Sequence, residues 1–253
     1  MSSRHLAVVM PAYNEAEGIP VFIAEIIEHV EPLVEKLDIV VVNDVSTDDT
    51  EAVLSQLSAA DPRIHVQTSA KNQGHGPTAL AAYRAGLALD PDILLHVDGD
   101  GQFLGEDIAR VVTVFANGDA EVVHGVRRHR TDPWFRRVLT AGVRGVVMAV
   151  ARRGIADVNT PLRVYRPDVA AALVSSVPAT ALVPHVHFSL AEARARRTVE
   201  EIPVRSIPRR GSVSTGTMWG TQREPLLPPK RLRDFSRKAA AELWAVSLRP
   251  GRR

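Results

Sequence analysis

The sequence predicts an α/β fold, a mostly parallel sheet flanked by helices, and three observations carry that expectation. Strand-like apolar runs alternate with helical periodicity four times in about the first hundred residues, the pattern of parallel strands joined by crossover helices. Polar clusters follow the first, second and fourth of these strands, and in an open α/β sheet ligands bind beyond the carboxyl ends of strands. The chain has 253 residues, 45% of them apolar and none of them cysteine. That is enough to bury a core, and it excludes disulfide scaffolds and thiolate metal sites.

The elements follow in order. Leu6 to Met10 reads as a buried strand, ended by Pro11-Ala12-Tyr13-Asn14-Glu15. Ile19, Phe22, Ile23, Ile26, Ile27 and Val30 recur at helical spacing. Ile39 to Val42 is a second strand, closed by Asn43-Asp44. Ser46-Thr47-Asp48-Asp49-Thr50 reads as a helix start with Ser46 as the cap. Ile64 to Gln67 is a third strand. Asn72-Gln73-Gly74-His75-Gly76-Pro77 then leads into a helix through Leu80, Tyr83 and Leu87. Ile93 to Val97 is a fourth strand and delivers Asp98-Gly99-Asp100-Gly101-Gln102. Beyond it the pattern predicts a helix over Ile108 to Phe115, a strand over Glu121 to His124 and a long helix over Trp134 to Arg153. A turn over Ile155 to Pro161 is followed by a strand over Leu162 to Tyr165, a helix after Arg166-Pro167-Asp168 and a last strand over Val199 to Val204. Residues 212–229, rich in Ser, Thr, Gly and Pro, read as a loop or lid, and Lys230 to Leu248 as an amphipathic helix.

Two carboxylates one glycine apart at the end of a strand are poorly suited to a core and well suited to a divalent cation. Magnesium and similar hard cations take oxygen ligands and keep phosphate oxygens in their shell. Asp98, Asp100 and Gln102 are therefore candidate metal ligands, for Mg2+ or Mn2+. Tyr13/Glu15, Asp44 and Asp98/Asp100 should converge on one edge of the sheet.

Taken together, Val9-Met10-Pro11-Ala12-Tyr13-Asn14-Glu15, Val42-Asn43-Asp44-Val45-Ser46-Thr47-Asp48-Asp49-Thr50, Asn72-Gln73-Gly74-His75-Gly76 and Val97-Asp98-Gly99-Asp100-Gly101-Gln102 resemble the motifs of the family 2 glycosyltransferases, of the GT-A nucleotide-sugar type. The resemblance covers about Leu6 to Ser212. The later pieces, Asp157-Val158-Asn159-Thr160-Pro161-Leu162-Arg163 and Pro208-Arg209-Arg210-Gly211-Ser212, are similar to the polyprenyl-phosphate branch of that family, which includes enzymes of the dolichol-phosphate mannosyltransferase kind. Asn43 stands where the family usually has an acid, which leaves the nucleobase open. Ser212-Val213-Ser214 lacks the lysine often found there.

The resemblance implies a metal-dependent, inverting transfer of a sugar from a nucleoside-diphosphate sugar. It implies a catalytic unit over 1–211, with a nucleotide-binding half over 1–103 and an acceptor half over 104–211, then the lid and the helix over 230–253. Pro11, Ala12 and Tyr13 would wall the base and ribose, with Glu15 on a ribose hydroxyl and Asp44 accepting from the base. Gly74 and Gly76 would let the backbone approach the nucleotide. Asp98 would contact the ribose or the metal-bound waters, and Gly99 beside it would belong to the nucleotide-sugar site. Arg127, with Arg136 or Arg137, would meet the diphosphate or an acceptor phosphate, and Arg209 or Arg210 would close over the sugar nucleotide. The fork of a guanidinium pairs two phosphate oxygens. A hydroxyl acceptor needs a general base, for which Asp157 is the candidate; a phosphate acceptor needs none. Both acceptor classes stay open, as do a nucleotidyltransferase and a non-catalytic sugar-nucleotide-binding module.

The net charge of +2 hides an asymmetry: residues 205–253 hold twelve Lys or Arg against three Asp or Glu, a balance of +9 that leaves −7 for the rest. A basic end points to an anionic partner. Leu232, Phe235, Ala239, Leu243 and Trp244 share one side of the terminal helix, with Arg231, Arg233, Arg237 and Lys238 around the rest, as in helices that lie on anionic membranes. The same apolar side could pack on the catalytic unit or on a second copy in a homodimer. Nucleic acid is not favoured, because the basic end lacks a recognisable binding module. Met1 to His5 carries no signal-like apolar stretch, and the longest clean apolar run, near Gly145 to Ala151, is far short of the roughly 20 residues of a spanning helix. The expected place is the cytoplasm, at the inner face of a membrane.

Overall fold

The computed structural model describes residues 4–127, 145, 157–211 and 230–248. Seven strands form one sheet: β1 (His5–Ala12), β2 (Lys36–Asn43), β3 (Ile64–Thr68), β4 (Ile93–His96), β5 (Val122–Arg127), β6 (Arg163–Tyr165) and β7 (Val199–Val204). Their order is β3-β2-β1-β4-β6-β5-β7. Only β6 runs against its neighbours, β4 and β5; the other pairs are parallel. The α/β class with its mostly parallel sheet is therefore as expected.

Among the described residues the α-helices include α1 (Ile19–Val30), α2 (Thr50–Ala60), α3 (His75–Leu87), α4 (Gly105–Asn117), α5 (Pro167–Ser175), α6 (Pro184–Arg194) and α7 (Lys230–Leu243). Strands covered on both faces need apolar side chains at every position. Along β1, Leu6, Val8 and Met10 face a core shared with α1, α2 and α4, while Ala7 and Val9 face one shared with α3, α5 and α6. On α1, Ile19, Phe22, Ile23, Ile26 and Val30 are buried, worth about 2 kcal/mol each against exposure to water.

This topology sets the position of the site. The chain lays β2 and β3 on one side of β1, then crosses to β4 on the other, and such a reversal opens a crevice at the carboxyl ends. Register aligns Ala12 with Asn43 and Val9 with His96. The segments after β1, β2 and β4 therefore leave the sheet side by side.

Three expectations need correction. The helix after β2 begins at Thr50, not near Ser46. The Asp48 carboxylate takes the Thr50 N–H at 3.0 Å, whereas the Ser46 hydroxyl donates to Asn43 Oδ1 at 2.6 Å and accepts from Asn14 N at 3.0 Å. Ser46 thus ties two loops together instead of capping a helix. Helix α6 was not foreseen: residues 184–190 are all buried, and His185, His187 and Ser189 interrupt any apolar stripe. The terminal helix is α-helical only to Leu243 and continues as a π-helical turn over Trp244–Leu248. The long helix expected over Trp134 to Arg153 and the lid over 212–229 lie outside the described residues.

Candidate active site

Three loops meet at the switch point. After β1 the chain turns at Asn14, whose φ of 55° is left-handed. An asparagine tolerates this and anchors the turn with its own amide, which accepts from Thr47 N at 2.8 Å and donates to Thr47 Oγ1 at 3.1 Å. Glu15 N donates to Thr50 Oγ1 at 2.8 Å. After β2, Val45 also takes a left-handed φ, 56°. For a β-branched residue that conformation costs about 1–2 kcal/mol. After β4, Gly99 N donates to Pro11 O at 3.1 Å, and a Cβ at Gly99 would stand 2.8 Å from that oxygen. Only glycine lets the ends of β1 and β4 close this tightly. Pro11 and Ala12 are buried there, and Tyr13 is half-buried beside them.

The electrostatics of this edge are dominated by acids. Asp98 Oδ1 is buried with no hydrogen-bond partner; His75 Nε2 stands 3.5 Å away, beyond good hydrogen-bond geometry. Asp100 is pushed up to about 6, first by burial and then by the charge of Asp98. Glu15 is pushed up to about 8, chiefly by burial, with the charges of Asp100 and Asp98 adding to it and Arg209 opposing. Gln102 N donates to Asp100 Oδ1 at 3.2 Å, while its carbonyl accepts from Ile207 N.

Arg209 grips Glu15 with two nitrogens, Nε to Oε2 at 3.0 Å and a terminal nitrogen to Oε1 at 2.7 Å, and reaches the carbonyls of Tyr13 and Asn14. Arg210 lies across Gly101, donating to its carbonyl at 3.0 Å, and pairs with Glu25. The segment before Gly211 is thus fastened onto the acidic loop.

These groups fit a hard divalent cation. Among the described residues no three His, Cys, Asp or Glu form a self-contained metal cage. A buried, unpartnered carboxylate oxygen beside a second carboxyl that resists ionisation instead suits a cation completed by phosphate oxygens, the arrangement magnesium favours.

The loop from Asn72 to Gly76 borders the acids. Asp44, 3% exposed, accepts Gln73 N and Gly74 N, each at 2.8 Å, one on each oxygen. Its visible work is to fix that loop. Gly74 has φ 85° and open space where a Cβ would be. Gly76 departs from expectation: a Cβ there would stand 2.2 Å from Ala181 O and 2.6 Å from Leu182 O. Its lack of a side chain serves contact with the protein. Asn43 is fully buried, and its Nδ2 has no hydrogen-bond partner.

At the carboxyl end of β5, Arg127 Nε donates to Asp157 Oδ2 at 2.9 Å, and its terminal nitrogen to Asn159 O at 3.2 Å. The candidate base and the candidate phosphate ligand are therefore an ion pair. Arg136, Arg137, Trp134 and Phe135 lie outside the described residues.

Two buried groups were given no role from the sequence. Arg163, fully buried, donates to Thr160 O at 2.8 Å, Val158 O at 3.1 Å and Ser189 Oγ at 2.9 Å, and pairs with Glu192 at 3.4 Å. It holds the turn that carries Asp157. An arginine inside the apolar run Leu162 to Tyr165 was the available signal. His96 donates from Nδ1 to Pro161 O at 2.8 Å and stacks on Tyr83 at 4.7 Å. Burial depresses it to about 4, so it is neutral beneath the acidic loop.

Comparison with known proteins agrees with this geometry. Undecaprenyl-phosphate 4-deoxy-4-formamido-L-arabinose transferase of Sodalis glossinidius (strain morsitans) is 31% identical over 200 residues, covering 79% of this chain and 59% of that protein. Its counterpart in Proteus mirabilis (strain HI4320) is 29% identical over 196 residues, covering 77% and 58%. The chain thus spans about three-fifths of the length of the curated relatives it matches. The crystal structure of glucosyl-3-phosphoglycerate synthase from Mycobacterium tuberculosis with Mn2+, UDP and glucosyl-3-phosphoglycerate shares the fold. Its TM-score is 0.63 at 18% identity, over 96% of this chain and 79% of that one. The family model described as glycosyl transferase family 2 matches residues 7–171, from β1 through the acidic loop and the Asp157 turn into α5. On that match the chain belongs to glycosyl transferase family 2.

Proposed function

We propose that the chain transfers a sugar, with inversion, from a nucleoside-diphosphate sugar to a polyprenyl phosphate. The observation that carries this reading is the acidic loop at the switch point, where Asp98 Oδ1 is buried without a hydrogen-bond partner beside Asp100, a carboxyl that burial and the charge of Asp98 push up to about 6. Asp98, Asp100 and Gln102 would hold Mg2+ or Mn2+, which supplies Lewis-acid stabilisation of the departing diphosphate. Pro11, Ala12 and Tyr13 wall the base and ribose. Glu15 is oriented there by Arg209, and Asp44 sets the loop through Gly74. Residues 1–211 are the catalytic unit in this reading, with 212–229 as its lid.

The Arg127–Asp157 pair favours a phosphate acceptor. The charge of Asp157 already faces a guanidinium, which suits holding Arg127 in place better than abstracting a proton from a hydroxyl. An acceptor phosphate oxygen, drawn in by Arg127 and Arg137, attacks the anomeric carbon from the face opposite the diphosphate. The new carbon–oxygen bond forms as the bond to the nucleoside diphosphate breaks, and no proton transfer is needed. The undecaprenyl-phosphate transferases among the relatives support this acceptor class. In this reading the protein works at the cytoplasmic face of a membrane that holds its lipid acceptor. Among the described residues no helix is long and apolar enough to cross one.

The test is a thermal-shift screen of UDP, GDP, CDP and TDP with Mg2+ or Mn2+, since a ligand of the folded state raises its melting temperature. At least one nucleotide should stabilise the protein in a metal-dependent manner. Asp100→Ala should stay folded, lose that stabilisation and reduce transfer at least a hundredfold. Undiminished turnover in Asp100→Ala would sink the metal assignment.

A further inference from the structure

The wall behind the Asn72–Gly76 loop is made by residues far away in sequence. Ala181 and Leu182 present their carbonyls to Gly76, so closely that no side chain fits between. Leu182 is in turn held from the C-terminal helix: both carboxylate oxygens of Glu242, on α7, accept its N–H, at 2.9 and 3.0 Å. Glu242 is fixed by His187 Nε2 at 3.0 Å, and the other ring nitrogen of His187 meets Ser247 Oγ at 2.6 Å. The His187 side chain is fully buried and Glu242 is 17% exposed. Leu243 and Leu248 pack with Val158 and Leu190 alongside. A chain of contacts thus runs from α7 through Leu182 to the first turn of α3, whose preceding loop is held on its other side by Asp44.

We propose that Glu242 is a positioning residue for the nucleotide site. It fixes the 181–182 wall against which the Gly74–Gly76 loop is seated, so docking of α7 and the geometry of that loop are one structural unit. The proposal rests on reading that loop as part of the sugar-nucleotide site. It gives the terminal helix a task within the protein in addition to any partner on its outer face. A carboxylate suits the task because its two oxygens share one backbone N–H while one of them also accepts the ring N–H of His187.

The experiment compares the full chain with Glu242→Ala, Glu242→Gln and, as a control on the exposed side of the same helix, Lys238→Ala. Amide hydrogen exchange without ligand reads the loop, and calorimetric titration with UDP and GDP in the presence of Mn2+ reads the site. In Glu242→Ala, exchange should rise over residues 74–80 and 181–187 while β1, β2 and β4 stay protected, and nucleotide affinity should fall about five- to tenfold. Glu242→Gln keeps one oxygen for Leu182 N–H and should give a smaller change of the same sign; it carries the test if the alanine variant does not fold. Lys238→Ala should match the wild type in both measurements. Unchanged exchange over 74–80, or unchanged affinity, would overturn the proposal. A wild-type protein that binds neither nucleotide would count against the reading of the site, and the exchange result would then decide the role of Glu242 alone.

Discussion

Arg163 has no exposed surface, and a guanidinium does not give up its proton to suit burial. It is tolerated because each of its nitrogens has a partner: Nε takes Thr160 O, one terminal nitrogen takes Val158 O and Ser189 Oγ, and the other faces Tyr165 and Glu192. Removing one member of such a pair leaves the other charge stranded. Arg163→Met should therefore cost about 3–5 kcal/mol in urea denaturation. Arg163→Met combined with Glu192→Leu should recover part of that loss, since neither charge then remains. Equal or greater loss in the double variant would mean that the carbonyls of the 157–160 turn, not Glu192, suffer most. An arginine inside a strand is a local signal, but nothing in the sequence points to Glu192, 29 residues away on a helix whose pattern is not legible.

Strands are where the amino ends of the sheet show a second charged device. Asp38 on β2 accepts from His5 Nε2 on β1 at 2.6 Å and His65 Nε2 on β3 at 2.7 Å, with Lys36 Nζ at 3.0 Å. Burial alone would raise its pKa, but the hydrogen bonds from His65, Lys36 and His5 outweigh it and hold the carboxyl below its ordinary value. A carboxyl depressed in the folded state contributes stability that is complete above its unfolded pKa and is lost as pH falls through the folded one. The protein should thus lose this contribution below about pH 4. Asp38→Asn should lower stability at pH 7 by about 1–3 kcal/mol and flatten the acid limb of the stability–pH curve. Chemical denaturation between pH 3 and 7 checks both. A steep, wild-type acid limb in the variant would assign the loss to other groups. Neither histidine stood out in the sequence, because cross-strand register, not spacing along the chain, brings the three strands together.

Among the described residues, charge is segregated. The acidic loop lies at the carboxyl edge of the sheet, while α7 turns Lys230, Arg231, Arg233, Arg237 and Lys238 outward, with Trp244 60% exposed beyond them. The inner side of α7 is spent on the protein: Leu232 and Ala239 are buried, and Leu243 packs near Val158 and Leu190. Membrane contact, if the acceptor is a lipid phosphate, would then be electrostatic with an aromatic anchor, not insertion of an apolar face. Each basic residue near an anionic surface contributes about 1 kcal/mol. Changing Arg231, Arg233, Arg237 and Lys238 to Glu should abolish co-sedimentation with phosphatidylglycerol-containing vesicles and leave the melting temperature nearly unchanged. Salt should weaken wild-type binding in the same assay. Equal binding by both proteins would remove α7 from the membrane reading.

Local patterns carried a large part of this protein. Continuous apolar runs marked the first four strands and a 3.6-residue period marked α1, and strands buried on both faces leave a signal that needs no partner to be read. The acidic loop after β4 was legible for a similar reason: Asp98, Gly99 and Asp100 are adjacent in sequence, so their chemistry is local. What stayed hidden depends on distance along the chain. Arg209 meeting Glu15, Arg127 meeting Asp157, Gly76 fitting against Leu182, and Glu242 holding that same residue join segments 30 to 194 positions apart. Their energies come from desolvation and hydrogen-bond geometry, which exist only once the sheet has set its register and the helices have closed over it.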